Sequence, residues 1–202
     1  MSEIARIAAA LFRKAAGMPR IMTAVAGPPG AGKSTLAEAL AELLPRGSAA
    51  VVPMDGFHYD DTVLGSLGLS SRKGAPETFD FDGFHTLLSR LKTGDRPVAI
   101  PLFDRTIEIA RAGAAIVRPE TRFIIVEGNY LLLDEDPWSR LAAMFDFSIY
   151  LDVPRPELER RLIARWESLG RGGEIGRRWV DTNDLPNVDR VIGSRRRPDL
   201  VV

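Results

Sequence analysis

The stretch that most constrains this chain is Gly27-Pro28-Pro29-Gly30-Ala31-Gly32-Lys33-Ser34-Thr35. It matches in full the phosphate-binding pattern G-x-x-x-x-G-K-[ST]. Residues 21–26 before it are apolar and predict a short buried strand, and residues 34–44 after it carry leucines at helical spacing. A glycine-rich loop that joins a strand to a helix predicts a binding site for the phosphates of a nucleotide.

The residue types in this loop each suit that chemistry. Gly27 and Gly32 permit backbone conformations and close approaches that a side chain would block. Successive backbone N–H groups then surround the phosphates at the positive end of the following helix. Lys33 is expected to reach the β- and γ-phosphates, and the Ser34 hydroxyl to hold Mg²⁺. The predicted nucleotide contacts in the loop are Gly27, Gly30, Ala31, Gly32, Lys33, Ser34 and Thr35.

Composition excludes several other kinds of protein. The 202 residues suit a single domain spanning 1–202, and 27 basic residues balance 27 acidic ones. Because the net charge is zero, we expect neither a nucleic acid nor an anionic membrane as a partner. There is no cysteine, which excludes a disulfide framework, a thiolate metal site and a cysteine nucleophile. No apolar run approaches the ~20 residues of a membrane span, and the N-terminus lacks a secretory layout, so we expect a cytoplasmic protein.

Two carboxylates follow apolar runs that predict buried strands. Asp55 comes after residues 49–53, and Glu127 ends the clearest buried run, which begins at Phe123. Strand ends are where open α/β sheets place ligand chemistry, so Asp55 could accept a proton from a substrate hydroxyl and Glu127 could organise Mg²⁺. The structural alternatives are a turn aspartate before a glycine and a carboxylate that caps the next turn.

The remaining segments predict alternating strands and helices. Strands are expected at 97–103, 145–151 and 188–192, helices at 155–169 and near 175–180, and a loop at 183–187. Residues 107–117 fit a hairpin or a helix equally well. The alternation predicts a three-layer α/β/α fold with a mostly parallel sheet and helices on both faces. Arginines on the 155–169 helix, followed by a Gly-rich hinge, favour a helical lid at approximately 160–176.

Several motifs together resemble the uridine kinase, phosphoribulokinase and pantothenate kinase group of P-loop NTPase kinases. Within it, the chain is most similar to small bacterial proteins described as nucleoside kinase-like or fructose transport system kinases. The resemblance runs in order over residues 27 to 187. Its segments are the loop at 27–35, Met54-Asp55-Gly56-Phe57-His58, residues 72–80 (Arg-Lys-Gly-Ala-Pro-Glu-Thr-Phe-Asp), Pro101-Leu102-Phe103-Asp104-Arg105, residues 127–133 (Glu-Gly-Asn-Tyr-Leu-Leu-Leu) and Asn183-Asp184-Leu185-Pro186-Asn187.

The resemblance implies roles for the residues that match its motifs. Asp55 corresponds to the base for the acceptor hydroxyl, and Glu127 to the carboxylate that arranges Mg²⁺. Phe103 stands where uridine kinases have tyrosine, which argues against uridine as the substrate. The implied acceptor contacts are Asp55, His58, Arg72, Phe103 and Arg105. The implied lid arginines are Arg161 and Arg165. Arg165 is also an implied catalytic residue, together with Lys33 and Asp55. Asn187 is implied to lie near the adenine edge of the ATP site.

We therefore expect ATP- and Mg²⁺-dependent phosphoryl transfer to a hydroxyl of a small molecule such as fructose, a nucleoside or a pantothenate-like compound. The alternative is a nucleotide-binding regulatory protein without turnover, which need not keep Asp55 and Glu127 at adjoining strand ends. A GTP-binding switch is disfavoured, because the chain has no Asn-Lys-x-Asp element. The sequence does not specify the oligomeric state, and a homodimer is compatible with it.

Overall fold

The structure, a computed structural model, describes residues 2–202. Its strands are Ile21–Ala26 (β1), Ala49–Pro53 (β2), Val98–Asp104 (β3), Ile109–Val117 (β4), Phe123–Gly128 (β5), Phe147–Tyr150 (β6) and Leu200–Val201 (β7). Five of these strands form one parallel sheet in the order β2-β5-β1-β6-β7. The other two, β3 and β4, pair with each other as an antiparallel hairpin.

Seven α-helices accompany the strands within the described residues. They are Glu3–Lys14 (α1), Lys33–Leu43 (α2), Asp61–Ser66 (α3), Phe81–Thr93 (α4), Arg155–Ser168 (α5), Gly173–Trp179 (α6) and Leu185–Gly193 (α7). A π-helical segment, Val180–Asp184, joins α6 to α7 without a break. In the part of the chain that the structure describes, no helix combines the length and apolarity that a membrane crossing requires.

The central sheet separates two apolar clusters, because successive side chains of a strand point to opposite faces. On one face, Val25 packs in a cluster with residues of α1, α2 and α5, including Leu40 and Leu158. On the other face, Met22 and Ala24 join a cluster that includes residues of α4 and the 3-10 turn Trp138–Ala143. The predicted three-layer α/β/α arrangement with a mostly parallel sheet is therefore confirmed.

Local signals explain where several helices begin and end. The Ser2 hydroxyl accepts a hydrogen bond from the backbone N–H of Ala5 and caps α1. The Asp80 carboxylate caps α4 in the same way, and Gly94 ends that helix in the left-handed conformation at φ +67°. These polar caps satisfy backbone groups that have no partner within the helix.

The register of the sheet brings three chain segments to one edge. Ala26 of β1 lies opposite Gly128 of β5, and Pro53 of β2 lies opposite Glu127 of β5. The glycine-rich loop follows β1, and Asp55 follows β2. The carboxyl ends of neighbouring parallel strands thus place the loop, Asp55 and Glu127 side by side.

The segment at 107–117, for which a hairpin and a helix fitted equally well, is a strand. It forms β4, which pairs with β3 from Val98 opposite Val117 to Asp104 opposite Ile109. The expected strand at 97–103 exists as β3, but it belongs to this hairpin and not to the central sheet. The alternation of small and apolar residues indicated a strand, but not the sheet to which it belongs.

The predicted loop at 183–187 and the strand at 188–192 are wrong, because these residues continue the helix. Leu185, Val188 and Val191 are buried at helical spacing, so one face of α7 packs against the body of the protein. Pro186 stands at the second position of α7, directly after the π-helical segment Val180–Asp184. The short edge strand β7, which the sequence analysis did not predict, pairs with β6 instead.

Candidate active site

The glycine-rich loop runs from the end of β1 to the start of α2. Gly32 precedes α2 at φ +94°, a left-handed conformation that a side chain would strain. The Lys33 ammonium is buried and donates a hydrogen bond to the Pro28 carbonyl at 2.9 Å. Burial lowers the pKa of Lys33 to about 8, against the opposing effect of Glu127 and Asp55. An anionic phosphate beside it would restore its affinity for the proton.

Ser34 and Glu127 form an oxygen-rich pair beside this lysine. The Ser34 hydroxyl donates to Glu127 Oε1 at 3.1 Å, and Glu127 is only 6% exposed. Burial raises the pKa of Glu127, and Asp55 raises it further. Within residues 2–202 no cluster of three or more His, Cys, Asp or Glu could hold a metal alone. The pair fits Mg²⁺, which is bound through one or two protein oxygens together with water and phosphate oxygens.

Asp55 lies in the 3-10 turn Met54–Phe57 that follows β2. The turn packs so closely on the hairpin that a Cβ at Gly56 would lie 2.6 Å from the Pro101 carbonyl oxygen. On its other side, Arg105 Nη2 donates to Asp55 Oδ2 at 2.6 Å. Burial raises the pKa of Asp55, but His58, Arg105 and Lys33 outweigh it and hold the pKa below its ordinary value. Asp55 is therefore a carboxylate at neutral pH.

His58 stands beside Asp55, held between two aromatic rings. Its ring centroid lies 4.0 Å from that of Phe79 and 5.1 Å from that of Phe103. Burial lowers the pKa of His58 to about 4, so the ring is neutral near pH 7. The 3.8 Å approach of His58 Nε2 to Asp55 Oδ1 is then not an ion pair. Its Nδ1 is buried with no hydrogen-bond partner within the described chain.

These groups line two adjoining cavities. The donor-side cavity, about 140 Å³, opens over the glycine-rich loop, and the acceptor-side cavity, about 120 Å³, opens over His58 and Phe103. Both cavities are lined by Pro29, Asp55, Arg105, Asn129 and Arg165. Asp55 and two arginines therefore stand where the contents of the two cavities would meet.

Most of the predicted nucleotide contacts line the donor-side cavity, and four do not: Gly27, Ala31, Arg161 and Asn187. The cavity is lined by Gly30, Gly32, Lys33, Ser34, Thr35 and Glu127 among the predicted residues. Gly27 and Ala31 lie in the loop outside it, with Ala31 buried in the core. Arg161 lies behind the loop, where its Nη1 reaches the carbonyls of Gly30 and Ala31 at 3.3 and 3.4 Å and its Nε pairs with Glu157.

Arg165, one helical turn beyond Arg161, lies inside the site. It lines both cavities, and burial lowers its pKa, with Arg105 lowering it further. Two guanidinium groups close to each other and to Lys33 make this region strongly cationic. Such a cluster suits the charge on a transferring phosphoryl group.

Arg72 is placed differently from what the family resemblance implied. Arg72 does not line either cavity; it pairs with Glu77 at 3.3 Å and reaches Asn183 Oδ1 at 3.5 Å. The neighbouring Lys73 enters the acceptor-side cavity in its place. The loop at 72–80 has no periodic pattern from which the inward side chain could be chosen.

Asn187 lines the acceptor-side cavity together with Pro29 of the glycine-rich loop, and it does not line the donor-side cavity. It is 2% exposed, and its Oδ1 has no hydrogen-bond partner within residues 2–202. Asn187 shares this cavity with Asp55 and His58. Its implied place at the adenine edge of the ATP site stays a prediction.

Several lining residues were missed by the sequence analysis. These are Lys73, Glu108, Asn129, Trp166, Trp179 and Asp184, which all line the acceptor-side cavity. Asn129 had a signal, since it follows Glu127-Gly128 at the end of a buried strand. The two tryptophans fit a packing role equally well, and only the placement of α5 and α6 brings them to the cavity.

The arrangement can bind an anion over the loop, hold a cation between Ser34 and Glu127, and present a carboxylate to a second ligand. Comparison with known proteins adds an independent result. The model of the "Phosphoribulokinase / Uridine kinase family" matches residues 22–172. This range contains the glycine-rich loop, Asp55, Glu127 and Arg165.

Similar proteins span most of the chain. It is 37% identical over 187 residues to protein YggC of Escherichia coli (strain K12), covering 91% of this chain and 77% of YggC. It is 34% identical over 194 residues to C227.14, a proposed uridine kinase of Schizosaccharomyces pombe (strain 972 / ATCC 24843), covering 91% and 83%. A crystal structure of a proposed fructose transport system kinase from Silicibacter sp. TM1040 aligns over 100% of both chains, with a TM-score of 0.92 and 43% identity.

Proposed function

The chain belongs to the phosphoribulokinase/uridine kinase family, and from that premise we propose that it transfers the γ-phosphoryl group of ATP, with Mg²⁺, to a hydroxyl of a small molecule. As a member of this family it is a small-molecule P-loop kinase. Its cofactors and acceptor are the part that we propose.

The observation that carries the proposal is the position of Asp55 between the two cavities. It lines the donor-side cavity together with Lys33 and Glu127, and the acceptor-side cavity together with His58. A regulatory nucleotide-binding protein needs the first of these cavities only. A carboxylate at the junction, held ionised by its basic neighbours, is suited to take a proton from an acceptor hydroxyl as the phosphoryl group arrives.

We assign the neutralisation of the negative charge on the phosphates to three basic side chains. Lys33 lies next to the loop that would hold the β- and γ-phosphates, and Arg105 and Arg165 face the junction from the hairpin and from α5. In phosphoryl transfer most of the catalysis comes from positioning and from stabilising charge on the equatorial oxygens. Asp55 would orient the acceptor, while His58 and Asn187 offer it unpaired buried polar atoms.

Ser34 and Glu127 are the residues that we assign to Mg²⁺. Bound there, the ion would supply Lewis-acid neutralisation of the phosphate oxygens. The raised pKa of Glu127 fits this role, because a buried carboxylate without a cation is poorly stabilised and a metal ion would reverse that.

The end of α5 and the start of α6, approximately residues 160–176, are proposed as a lid within a single kinase domain spanning 1–202. Arg165 and Trp166 lie on this lid and line the acceptor-side cavity. Closure of the lid would exclude water, which otherwise competes with the acceptor as nucleophile.

The direct test is a screen of acceptors with purified protein, ATP and Mg²⁺. The panel contains fructose and other sugars, uridine and other nucleosides, pantothenate and related polyols, and each phosphorylated product is identified by mass spectrometry. We expect at least one acceptor to raise ADP formation well above the acceptor-free rate. Tight ATP binding with no product from any member of the panel would contradict the proposal and favour the regulatory alternative.

A further inference from the structure

One large cavity in the described part of the chain has no role in the reaction as proposed so far. It measures about 490 Å³, roughly four times the acceptor-side cavity. Its apolar wall consists of Trp166, Trp179 and Ile175, and it lies between the lid and the loop that contains Lys73. Cavities of this size, mostly apolar with a few polar groups, are typical small-molecule sites.

This cavity adjoins the acceptor-side cavity. Lys73, Glu108, Trp166 and Trp179 line both of them. None of the residues that line the donor-side cavity over the glycine-rich loop also lines this large one. A molecule whose hydroxyl reached Asp55 could therefore extend into the large cavity. The walls of the large cavity are separate from those around the nucleotide phosphates.

The two tryptophans form a fixed aromatic corner. Their ring centroids are 5.8 Å apart with planes inclined at 56°, so the rings diverge and leave their faces open to a third group. Trp166 is held by a hydrogen bond from its Nε1 to Asp184 Oδ2 at 2.8 Å. Ile175 is 80% exposed, an unusual position for a large apolar side chain on a helix of seven residues. A corner of this kind is suited to stack against a flat apolar group.

The charges at the rim of the cavity balance, so they favour neither an anionic nor a cationic ligand. Two acidic and two basic side chains line it, and the ammonium of Lys73 is already paired with Asp61 Oδ1 at 2.7 Å. With charges of both signs at the rim and aromatic rings inside, the cavity selects a neutral group. Its size argues against a bare triose or hexose as the whole acceptor.

We propose that this cavity, which we name the tryptophan subsite after Trp166 and Trp179, binds a neutral, ring-bearing extension of the acceptor while the acceptor hydroxyl lies at Asp55. The inference rests on the proposed kinase function and adds the class of acceptor: a polyol or sugar head joined to an apolar ring. Part of the subsite lies on the lid, so an acceptor that fills it also bridges the lid to the body of the protein.

The test compares pairs of compounds that share a head and differ by one ring. Suitable pairs are ribose with benzyl riboside, fructose with benzyl fructoside, and pantothenate with N-benzylpantothenamide. Binding is measured by calorimetry with the full chain, which requires no turnover, and kcat and KM are measured where phosphorylation occurs. We expect the benzyl member of at least one pair to bind about tenfold or more tightly than its partner, as stacking on one aromatic ring typically contributes.

Two variants and a control assign this gain to the subsite. Trp179→Ala should remove most of the gain in affinity for the benzyl compound, measured by calorimetry. Ile175→Ser removes an exposed side chain, so it tests the same wall without threatening the fold. Leu169→Ala is the matched control, since Leu169 is a large apolar residue next to α5 that is 46% exposed and does not line the subsite.

The outcomes separate this inference from the proposed function. If no benzyl compound binds more tightly than its partner, or if the gain survives Trp179→Ala and Ile175→Ser, the subsite is overturned even when the bare heads are phosphorylated. Displacement of the benzyl compounds by ADP would overturn it as well, because the ring would then occupy the nucleotide site. Binding that depends on Trp179 without any phosphoryl transfer would support the subsite and count against the kinase proposal.

Discussion

The donor and acceptor halves of this site are built in opposite ways. Apart from the residues that it shares with the acceptor half, the donor half is one continuous stretch of chain, the loop between β1 and α2, together with Glu127 from the neighbouring strand. The acceptor half is assembled from separate segments: the turn after β2, the β3–β4 hairpin, the loop containing Lys73, and α5 to α7. A backbone cradle is specified locally, whereas a side-chain cavity depends on how distant elements pack.

The two halves also differ in what holds their polar groups. Lys33 and Ser34 are hydrogen-bonded to Pro28 and Glu127 in the absence of any ligand. By contrast, His58 Nδ1 and Asn187 Oδ1 are buried without a partner among the described residues. Buried polar atoms without partners carry a free-energy cost that a ligand can remove. The donor half therefore has these polar groups paired within the chain, whereas the acceptor half contains two buried polar atoms without a partner among the described residues.

The largest expected effect comes from a change at the junction of the halves. Asp55→Asn removes the proposed base and should lower turnover by about 10²–10⁴-fold, the usual contribution of general-base catalysis. ATP affinity, measured by calorimetry, should stay within about threefold of the wild-type value, because the loop contacts remain. Unchanged turnover in this variant would remove Asp55 from the mechanism.

A change inside the donor half should act on every acceptor alike. Lys33→Met keeps the length of the side chain but removes its charge, and we expect turnover to fall by about 10²–10³-fold, as for other lost electrostatic contacts in active sites. The fall should be the same for two acceptors of different structure, measured in parallel. A loss confined to one acceptor would show that Lys33 belongs to the acceptor half.

The pKa of Lys33 predicts that activity depends on pH differently when the donor half is free and when ATP occupies it. Lys33 must be protonated to attract phosphate, so kcat/KM for ATP should decrease above pH 8 by about tenfold per pH unit. Bound phosphates raise the pKa of the ammonium, so kcat at saturating ATP should stay level to higher pH. Lys33→Arg is the control: its side chain stays charged, and the alkaline decrease should disappear. A decrease that persists in Lys33→Arg belongs to another group.

The smallest effect concerns the link between the hairpin and the base. Arg105 helps to hold the pKa of Asp55 low, so Arg105→Ala should raise that pKa and move the acid limb of the kcat/KM profile to higher pH. At the pH optimum we expect a loss of about tenfold or less, because the pair is partly exposed and solvent screens it. Arg111→Ala breaks a comparable ion pair with Asp104 elsewhere on the hairpin and should leave the profile unchanged. A shift of equal size in both variants would point to the hairpin as a whole.

The accuracy of the sequence predictions follows the same division between features specified by a local stretch of chain and features that depend on the packing of distant elements. The helices at α2 and α5 and the strands β1, β2, β5 and β6 were predictable because each has a local period or a short apolar run bounded by turn residues. The α7 helix was not, since Asn183-Asp184-Leu185-Pro186-Asn187 has the composition of a loop and is kept helical by the burial of Leu185, Val188 and Val191. The hairpin was recognisable as one of two options, but its separation from the main sheet was not.

The residues of the candidate site also fall into those that local sequence marks and those that only the tertiary structure places. The Gly-Lys-Ser-Thr chemistry of the loop, Asp55 and Glu127 were identified because a strand end is a position that sequence can mark. Arg72 and Asn187 were assigned by resemblance. Arg72 lies outside both cavities, since the direction of a side chain in an irregular loop has no period to reveal it. The role of Asn187 stays a prediction. Trp166 and Trp179 had no sequence signal at all for a place in a cavity.

By itself the sequence determined the phosphate-binding loop, the alternation of strands and helices that leads to a layered parallel sheet, and the two carboxylates at strand ends. These depend on backbone conformation and on side-chain periods within ten or so residues, which the sequence of each segment encodes directly. Only the tertiary structure decided which side chains face the acceptor, that Arg105 meets Asp55, and that two tryptophans border a large cavity next to it. Those contacts join residues far apart in the chain, and packing of the lid and hairpin against the sheet selects them.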